Sequence, residues 1–411
     1  MQRVVVTGIG SVSPIGNTFQ ESYKAAKEGL SGLGPVTRFD VSDIPWRVAG
    51  ELRHFNPGGY LSAKELGRLD PFVQYAVVAA ISAAEDAGLI SSFILHPSSL
   101  SSAAVIIGSS RGGISSLEEA ILKCARQSQR RHSVSPYLMP ATTISMAPSF
   151  VAQKLGVKGQ CLGISNACAS GAAAIGEAFR MIRSGYCYPV VCGGAEAPLC
   201  RICFEGYGSS GALSKANDRT ASRPFDRTRD GFVLSEGACV VVLEEYSRAR
   251  QRGVKIYGEI IGYGNTCDAF HQTVPSAEGE ARTIRTAIED AGLNPGDIGF
   301  INAHGTSTRL GDKSETEAIK SAFGRKAYEI PVTSLKSVTG HMLAASGALE
   351  AAVTLASMKD GALPPTLNLA ERDPECDLDI VTELRRADVE HAISNSFGFG
   401  GVNAVLVLKR A

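Results

Sequence analysis

An α/β fold built from two similar halves is what this chain of 411 residues predicts. Three observations carry the prediction. Strand-like and helix-like segments alternate from end to end. The length exceeds what one simple core usually holds. Two pairs of segments also repeat in the same order. Residues 80–89 (AISAAEDAGL) match 284–293 (IRTAIEDAGL), and Ala-Ser-Gly-Ala runs at 169–172 and 345–348 open helices that stop at Gly185 and Gly361. Chance is the competing explanation, because Ala- and Gly-rich helices match one another easily.

Short apolar runs read as strands at Val4–Val6, Ala104–Ile107, Val190–Val191, Cys239–Leu243, Ile298–Ile301 and Ala404–Leu408. Helical periodicity covers Asp70–Ala87, Ala169–Ser184, Glu278–Ala291, Lys313–Phe323 and Ser346–Met358. Gly and Pro punctuate these segments, and the Ser-rich stretch 91–102 reads as a loop. The halves divide as 1–253 and 254–411. The first has a longer gap between its paired elements, which predicts an insertion around residues 110–150.

Hydrophobic residues make up 44% and charged residues 20%, with a formal net charge of +0. That is an ordinary globular composition. Zero net charge argues against a large nucleic-acid surface. No apolar run is long enough to span a bilayer, so no membrane insertion is expected. The first residues lack the apolar stretch of a secretory leader. Ten cysteines are scattered without a paired framework, so reduced thiols in the cytoplasm are the simpler expectation. Cys200 and Cys203 form one CxxC with no second pair at metal-ligand spacing, and no metal is expected there. Gly8-Ile-Gly10, followed only by Gly16, fails the spacing of a dinucleotide loop.

Cys168 is the strongest chemical signal. It lies in Gly163-Ile-Ser-Asn-Ala-Cys-Ala-Ser-Gly-Ala, where a strand gives way to a small-residue helix. Unpaired N–H groups and the helix dipole at such a junction favour thiolate and can hold an oxyanion. A nucleophile for acyl transfer is therefore expected. Taken alone, Cys168 reads equally well as a small buried hydrophobe.

Three further segments carry Gly, His and Thr at strand-to-turn junctions. They are Ile301-Asn-Ala-His304-Gly-Thr306-Ser-Thr308, Leu335-Lys336-Ser-Val-Thr-Gly-His341 and Ser394-Asn395-Ser-Phe397-Gly-Phe399-Gly-Gly401-Val-Asn403. A lone histidine is usually structural, but loops at strand ends are where α/β proteins place reactive groups. If the halves are duplicated, Cys168 directly precedes one Ala-Ser-Gly helix and His341 lies four residues before the other. A pseudo-twofold axis would bring them together.

These motifs, with Ser222-Arg-Pro-Phe-Asp226 and Arg229-Asp-Gly-Phe-Val, closely resemble the β-ketoacyl-[acyl carrier protein] synthases. The resemblance is to the Cys-His-His elongating branch and runs from Thr7 to Asn403. It implies a thiolase-like fold with duplicated halves in five α-β-α-β-α layers, assembled as a homodimer in the cytoplasm. It also implies decarboxylating Claisen condensation in fatty-acid elongation. Cys168 would carry the acyl chain, and the N–H groups of Cys168 and Phe399 would form the oxyanion hole. His304 and His341 would hold the enolate of a malonyl thioester. For that they must be neutral with Nε–H available, and a helix N-terminus at His341 would disfavour imidazolium. Lys336, held by Glu350, would orient the histidines or serve as a plain ion pair. Thr306 and Thr308 would bind the pantetheine arm or simply form the turn. Phe399 would gate the acyl pocket or fill the core. No cofactor is implied, since the phosphopantetheine arrives on the acyl carrier protein. Docking of that partner would use Lys64, Arg68, Arg130 and Arg131, or those residues form a solvated face. A monovalent cation near Asn302, Glu350 and Asn395 is a further implication.

Three residues depart from the family. Arg111 in Gly108-Ser-Ser-Arg111-Gly-Gly stands where the acyl pocket is usually apolar. An unpaired guanidinium cannot be buried there. It therefore turns away into an ion pair, meets a polar or carboxylated chain end, or blocks the pocket. Asn166 replaces a Thr and could cap the following helix. Tyr207 replaces a Phe in the same region. These departures keep two alternatives open, namely a ketosynthase of a specialised polyketide or polyene pathway and, against the presence of Cys168, a non-catalytic partner that sets chain length.

Overall fold

The computed structural model describes residues 1–90, 100–126 and 134–411. Arg130, Arg131 and most of the Ser-rich stretch lie outside the described residues. Ten strands form one large sheet. In the first half they are β1 (Val4–Val12), β2 (Ala104–Gly108), β3 (Cys161–Ile164), β4 (Val190–Glu196) and β5 (Gly237–Glu245). In the second half they are β6 (Gly258–Cys267), β7 (Phe300–Asn302), β8 (Val332–Thr333), β9 (His391–Gly398) and β10 (Val402–Arg410).

The order outward from the centre is β1-β5-β4-β2-β3 on one side and β6-β10-β9-β7-β8 on the other. On both sides the first two pairings are antiparallel and the last two are parallel. Equivalent strands follow in the same chain order, so the repeat read in the sequence is a repeat of topology. The halves join through a short antiparallel pairing of Val4–Val6 with Gly258–Ile260.

Helices follow the same repeat. Helix α1 (Pro71–Asp86) links β1 to β2, and α2 (Met146–Leu155) precedes β3. Helix α3 (Ser170–Arg183) links β3 to β4. Their counterparts are α4 (Ala277–Asp290), α5 (Arg309–Phe323) and α6 (Ser346–Asp360). Helices α3 and α6 carry the Ala-Ser-Gly runs and lie between the two halves of the sheet. Every residue of α6 from Ser346 to Met358 is buried. A helix packed on both faces needs small side chains, and a Cβ at Gly171 would lie 2.2 Å from the Ala344 carbonyl oxygen.

Three apolar clusters fill the spaces between five layers. The central one takes Ile106, Val190, Cys192 and Val241 from the first half and Phe300, Leu406 and Leu408 from the second. The outer ones take the alternate residues, Val105, Ile107 and Val191 under α1, and Ile301, Val405 and Val407 under α4. Period-two alternation with both faces buried is what a doubly covered sheet requires. Gly8 and Gly10 serve this packing, since Cβ atoms there would lie 2.1 Å from α1 carbonyl oxygens. The helices 114–126 and 138–142 stand between β2 and α2. Between β7 and α5 only a short loop runs, so the longer gap of the first half is an added helical segment.

Candidate active site

The loops after β3, β7, β8 and β9 meet at the junction of the halves. There a cavity of about 370 Å³ is lined by Cys168, His304, His341, Phe399, Thr306 and Thr308, among others. The nucleophile and histidine motifs, far apart in sequence, therefore share one space.

Cys168 is half-buried between β3 and α3. The preceding Ala167 has φ +46°, a left-handed value costly for a residue with a Cβ. Leu343, its equivalent before α6, has the same φ, so the sharp entry into the helix belongs to the repeated unit. The Phe399 N–H donates toward the Cys168 sulfur. Burial pushes the Cys168 thiol up to about 11, against the opposing pull of Lys336, Arg111 and the Phe399 N–H. The thiolate expected from a helix N-terminus is thus not the resting form. The helix starts at Ser170, and desolvation outweighs the nearby positive groups.

Asn166 does not cap α3 with its side chain, because α3 has no side-chain cap. Its backbone holds the turn instead. Its N–H donates to Ser170 Oγ (2.8 Å), and its carbonyl accepts from Ala169 N (3.0 Å).

His304 is fixed from both sides. Its backbone N–H and that of Gly305 donate to the two oxygens of Glu315, at 2.8 and 2.7 Å. Asn395 Nδ2 donates to Glu315 Oε1 at 2.9 Å. The His304 Nδ1 lies 3.3 Å from Lys336 Nζ, and Lys336 Nζ lies 2.5 Å from Glu350 Oε1. An ammonium has only donors, so Nδ1 accepts and the ring proton sits on Nε2. The Lys336 and Glu350 side chains are each only 1% exposed, so neither charge has water to replace its partner.

His341 is not on a helix. It bridges to the segment at Leu234, with its N–H on the Val233 carbonyl (2.7 Å) and its carbonyl accepting from Ser235 N (3.0 Å). Gly340 before it has φ +67°, and a Cβ there would lie 2.0 Å from Ser235 Oγ. The His341 ring lies 5.3 Å from His304, centroid to centroid, at 82°. Its Nδ1 is 3.2 Å from Ser346 Oγ, which itself accepts from Met342 N. Burial, then the Lys336 charge, holds both histidines well below the usual imidazole range. The expected neutrality thus has burial as its main cause, since α6 begins five residues beyond His341.

Thr308 caps α5 through Gly311 N (3.1 Å), and its hydroxyl lies 3.0 Å from that of Thr306. Both also face the cavity. Arg229, fully buried, pairs with Asp373 (2.5 Å) and Asp312 (3.3 Å) and ties its loop to the start of α5. Lys64 and Arg68 are exposed, with Arg68 over the Tyr137 ring.

Arg111 and Tyr207, two of the departures from the family pattern, are partners. The Arg111 Nε donates to the Tyr207 hydroxyl at 2.8 Å, and Tyr207 lines the cavity. Arg111 therefore neither pairs with a carboxylate through its side chain nor projects into the cavity.

Two carboxylates were not singled out by sequence. Glu315 organises His304, and Glu196 organises the loop at Arg111. Glu196 accepts from Ser109, Ser110, the Arg111 N–H and the Ala344 N–H. The acceptors Glu350 Oε2 and Asn395 Oδ1 are buried without a hydrogen-bond partner. Oxygen acceptors left over in this way fit a hard monovalent cation. Asn302 Nδ2 donates to Ser394 Oγ at 3.4 Å. No group of three His, Cys, Asp or Glu side chains suited to a metal occurs among the described residues, Cys200 and Cys203 included.

Fold and site together are those of a thiolase-like condensing enzyme. The chain belongs to the β-ketoacyl synthase family. Its residues 1–249 match the β-ketoacyl synthase N-terminal domain and residues 257–370 the C-terminal domain. It is 45% identical over 414 residues to the 3-oxoacyl-[acyl-carrier-protein] synthase 2 of Synechocystis, covering 100% of this chain and 98% of the relative. Among solved structures it is similar to the ishigamide ketosynthase/chain length factor, with TM-score 0.93, 35% identity and 100% and 99% coverage. It is also similar to the ketosynthase AntDE in complex with its type II polyketide acyl-carrier protein AntF, with TM-score 0.90, 32% identity and full coverage of both chains.

Proposed function

We propose that this protein is a β-ketoacyl-[acyl carrier protein] synthase of fatty-acid elongation. The observation that carries the reading is the cavity in which Cys168, facing the Phe399 N–H, meets two neutral imidazoles whose Nδ1 atoms are already engaged.

The chemistry follows from that arrangement. Cys168 attacks an acyl thioester, the oxyanion rests on the Cys168 and Phe399 N–H groups, and the departing pantetheine sulfur takes the thiol proton. Thiol and thioester simply exchange, so no external base is consumed. A malonyl thioester then occupies the cavity along Thr306 and Thr308. Its carbonyl oxygen accepts from His304 and His341 Nε–H, and loss of carbon dioxide leaves an enolate on those donors. A neutral donor suits this step, because an imidazolium would protonate the carbanion. The carbanion attacks the Cys168 thioester carbonyl, the acyl carbon–sulfur bond breaks, and the chain leaves two carbons longer on the carrier protein while the Cys168 thiolate takes a proton from water. Lys336 keeps His304 in the Nε–H tautomer. A bound monovalent cation would be held by Glu350 and Asn395 and would neutralise charge behind the histidines.

The similar ketosynthase with its carrier protein supports an acyl carrier protein as partner. The exposed Lys64 and Arg68 are our candidates for its docking surface. A homodimer is supported by the exposed Ile121, Leu122, Met139 and Ile202, and by β3 as the outer strand on the side of the first half. No helix among the described residues is long and apolar enough to cross a membrane; the cytoplasm is our reading of its location.

Mass spectrometry of products from malonyl-carrier protein and a panel of acyl-carrier proteins tests the reading. Elongated β-ketoacyl products are expected, and their absence with every acyl donor would refute it. One observation favours the specialised-pathway alternative, namely the Arg111–Tyr207 pair where an apolar pocket is expected. Products formed only from short or oxygenated donors would support that alternative.

The raised thiol gives a pH prediction. Thiolate increases as pH rises toward about 11. Iodoacetamide labelling of the Cys168 peptide should therefore quicken about tenfold per pH unit from about pH 6 to about pH 9. A plateau inside that window would contradict the burial argument.

A further inference from the structure

We propose that Arg111 and Tyr207 form a stop for the acyl chain on Cys168, making the protein selective for short acyl groups over medium-length ones. The inference rests on the reading of Cys168 as the acyl-carrying residue.

Tyr207 stands in the wall of the cavity beside Cys168 and Phe399. Its ring centroid lies 6.4 Å from Phe399 and 5.6 Å from Phe232. Its hydroxyl accepts from Arg111 Nε at 2.8 Å, and the guanidinium carbon lies 5.3 Å from the ring centroid. A hydrogen bond from a cation is stronger and more directional than one between neutral groups, so Arg111 pins the hydroxyl end of the ring.

The anchor is itself anchored. The Arg111 N–H donates to Glu196 Oε1 at 3.0 Å, and Glu196 is fully buried at the end of β4 with three other residues bonded to it. Tyr207 packs with Leu199, Cys203, Phe204 and Leu343 in one buried cluster. A chain passing Phe399 therefore meets a tyrosine that cannot turn aside without giving up its cation. A phenylalanine there would have only packing to lose.

The test loads the protein with butanoyl and dodecanoyl pantetheine thioesters and follows acylation of Cys168 by intact mass. Wild-type protein is expected to take butanoyl about tenfold faster or more, the discrimination a filled apolar pocket supplies. Arg111→Ala removes the anchor from an exposed residue, and Tyr207→Phe removes only the hydroxyl. Both are expected to shift the butanoyl-to-dodecanoyl ratio about tenfold toward dodecanoyl. A wild-type ratio near one, or the same ratio in both variants, would overturn the proposal. So would faster acylation by an ω-carboxybutanoyl thioester than by butanoyl, which would make Arg111 a carboxylate receptor. No acylation by any thioester would overturn the Cys168 assignment and the proposal with it.

Discussion

Cys168→Ala is expected to lower condensation by about 10⁴-fold or more, the scale seen when a covalent nucleophile is removed. Folding should hardly change. The side chain is only half-buried and makes one polar contact of note, with the Phe399 N–H, so the cost should be within about 1 kcal/mol. Release of carbon dioxide from malonyl-carrier protein should persist, because the donors assigned to that step, His304 and His341, do not depend on the sulfur. The two readings separate in one experiment. Condensation is followed by product mass and decarboxylation by acetyl-carrier protein. A variant that still condenses would remove Cys168 from the mechanism. A variant that neither condenses nor decarboxylates, yet melts as wild type does, would mean the thiol also shapes the malonyl site.

The groups proposed to react were legible because each stands in a contiguous motif of small residues. Cys168, His304 and His341 are each one residue in a run whose neighbours also betray a turn. The supporting carboxylates were not. Glu315 lies in Asp312-Lys-Ser-Glu-Thr-Glu, which reads as a solvated helix face, and only tertiary packing makes it 1% exposed under His304. Glu196 closes an apolar strand, and its partners come from two other loops. Arg111 and Tyr207 were each conspicuous in sequence, but 96 residues separate them and their bond is tertiary.

The fold shows the same division. The strand Ala404–Leu408 announces itself as an unbroken apolar run. Its neighbour β9, His-Ala-Ile-Ser-Asn-Ser-Phe-Gly, mixes polar and apolar residues yet is buried from Ala392 to Phe397. Its polar side chains alternate between the two faces, so that Asn395 binds Glu315 while Ser396 Oγ lies against Gly347 of α6. β6 is written with glycines, and a Cβ at Gly262 or Gly264 would lie 2.4 or 2.3 Å from α4 carbonyl oxygens. Close helix packing therefore replaces the branched residues that a sequence reading seeks in a strand.

Lys336→Met is expected to destabilise the protein by about 3–5 kcal/mol, because it leaves the Glu350 carboxylate buried without its cation. Decarboxylation should fall as well, since His304 Nδ1 loses the donor that fixes its tautomer. A single variant cannot distinguish loss of fold from loss of chemistry. The double variant Lys336→Met/Glu350→Leu can. Replacing both members of a buried pair by apolar residues of similar size is often close to neutral for stability. The double variant should therefore regain most of the lost melting temperature and still decarboxylate slowly. That outcome would make Lys336 a positioning residue for His304. Recovery of both stability and rate would reduce Lys336 and Glu350 to a structural ion pair, with His304 set by Glu315 and its own packing alone.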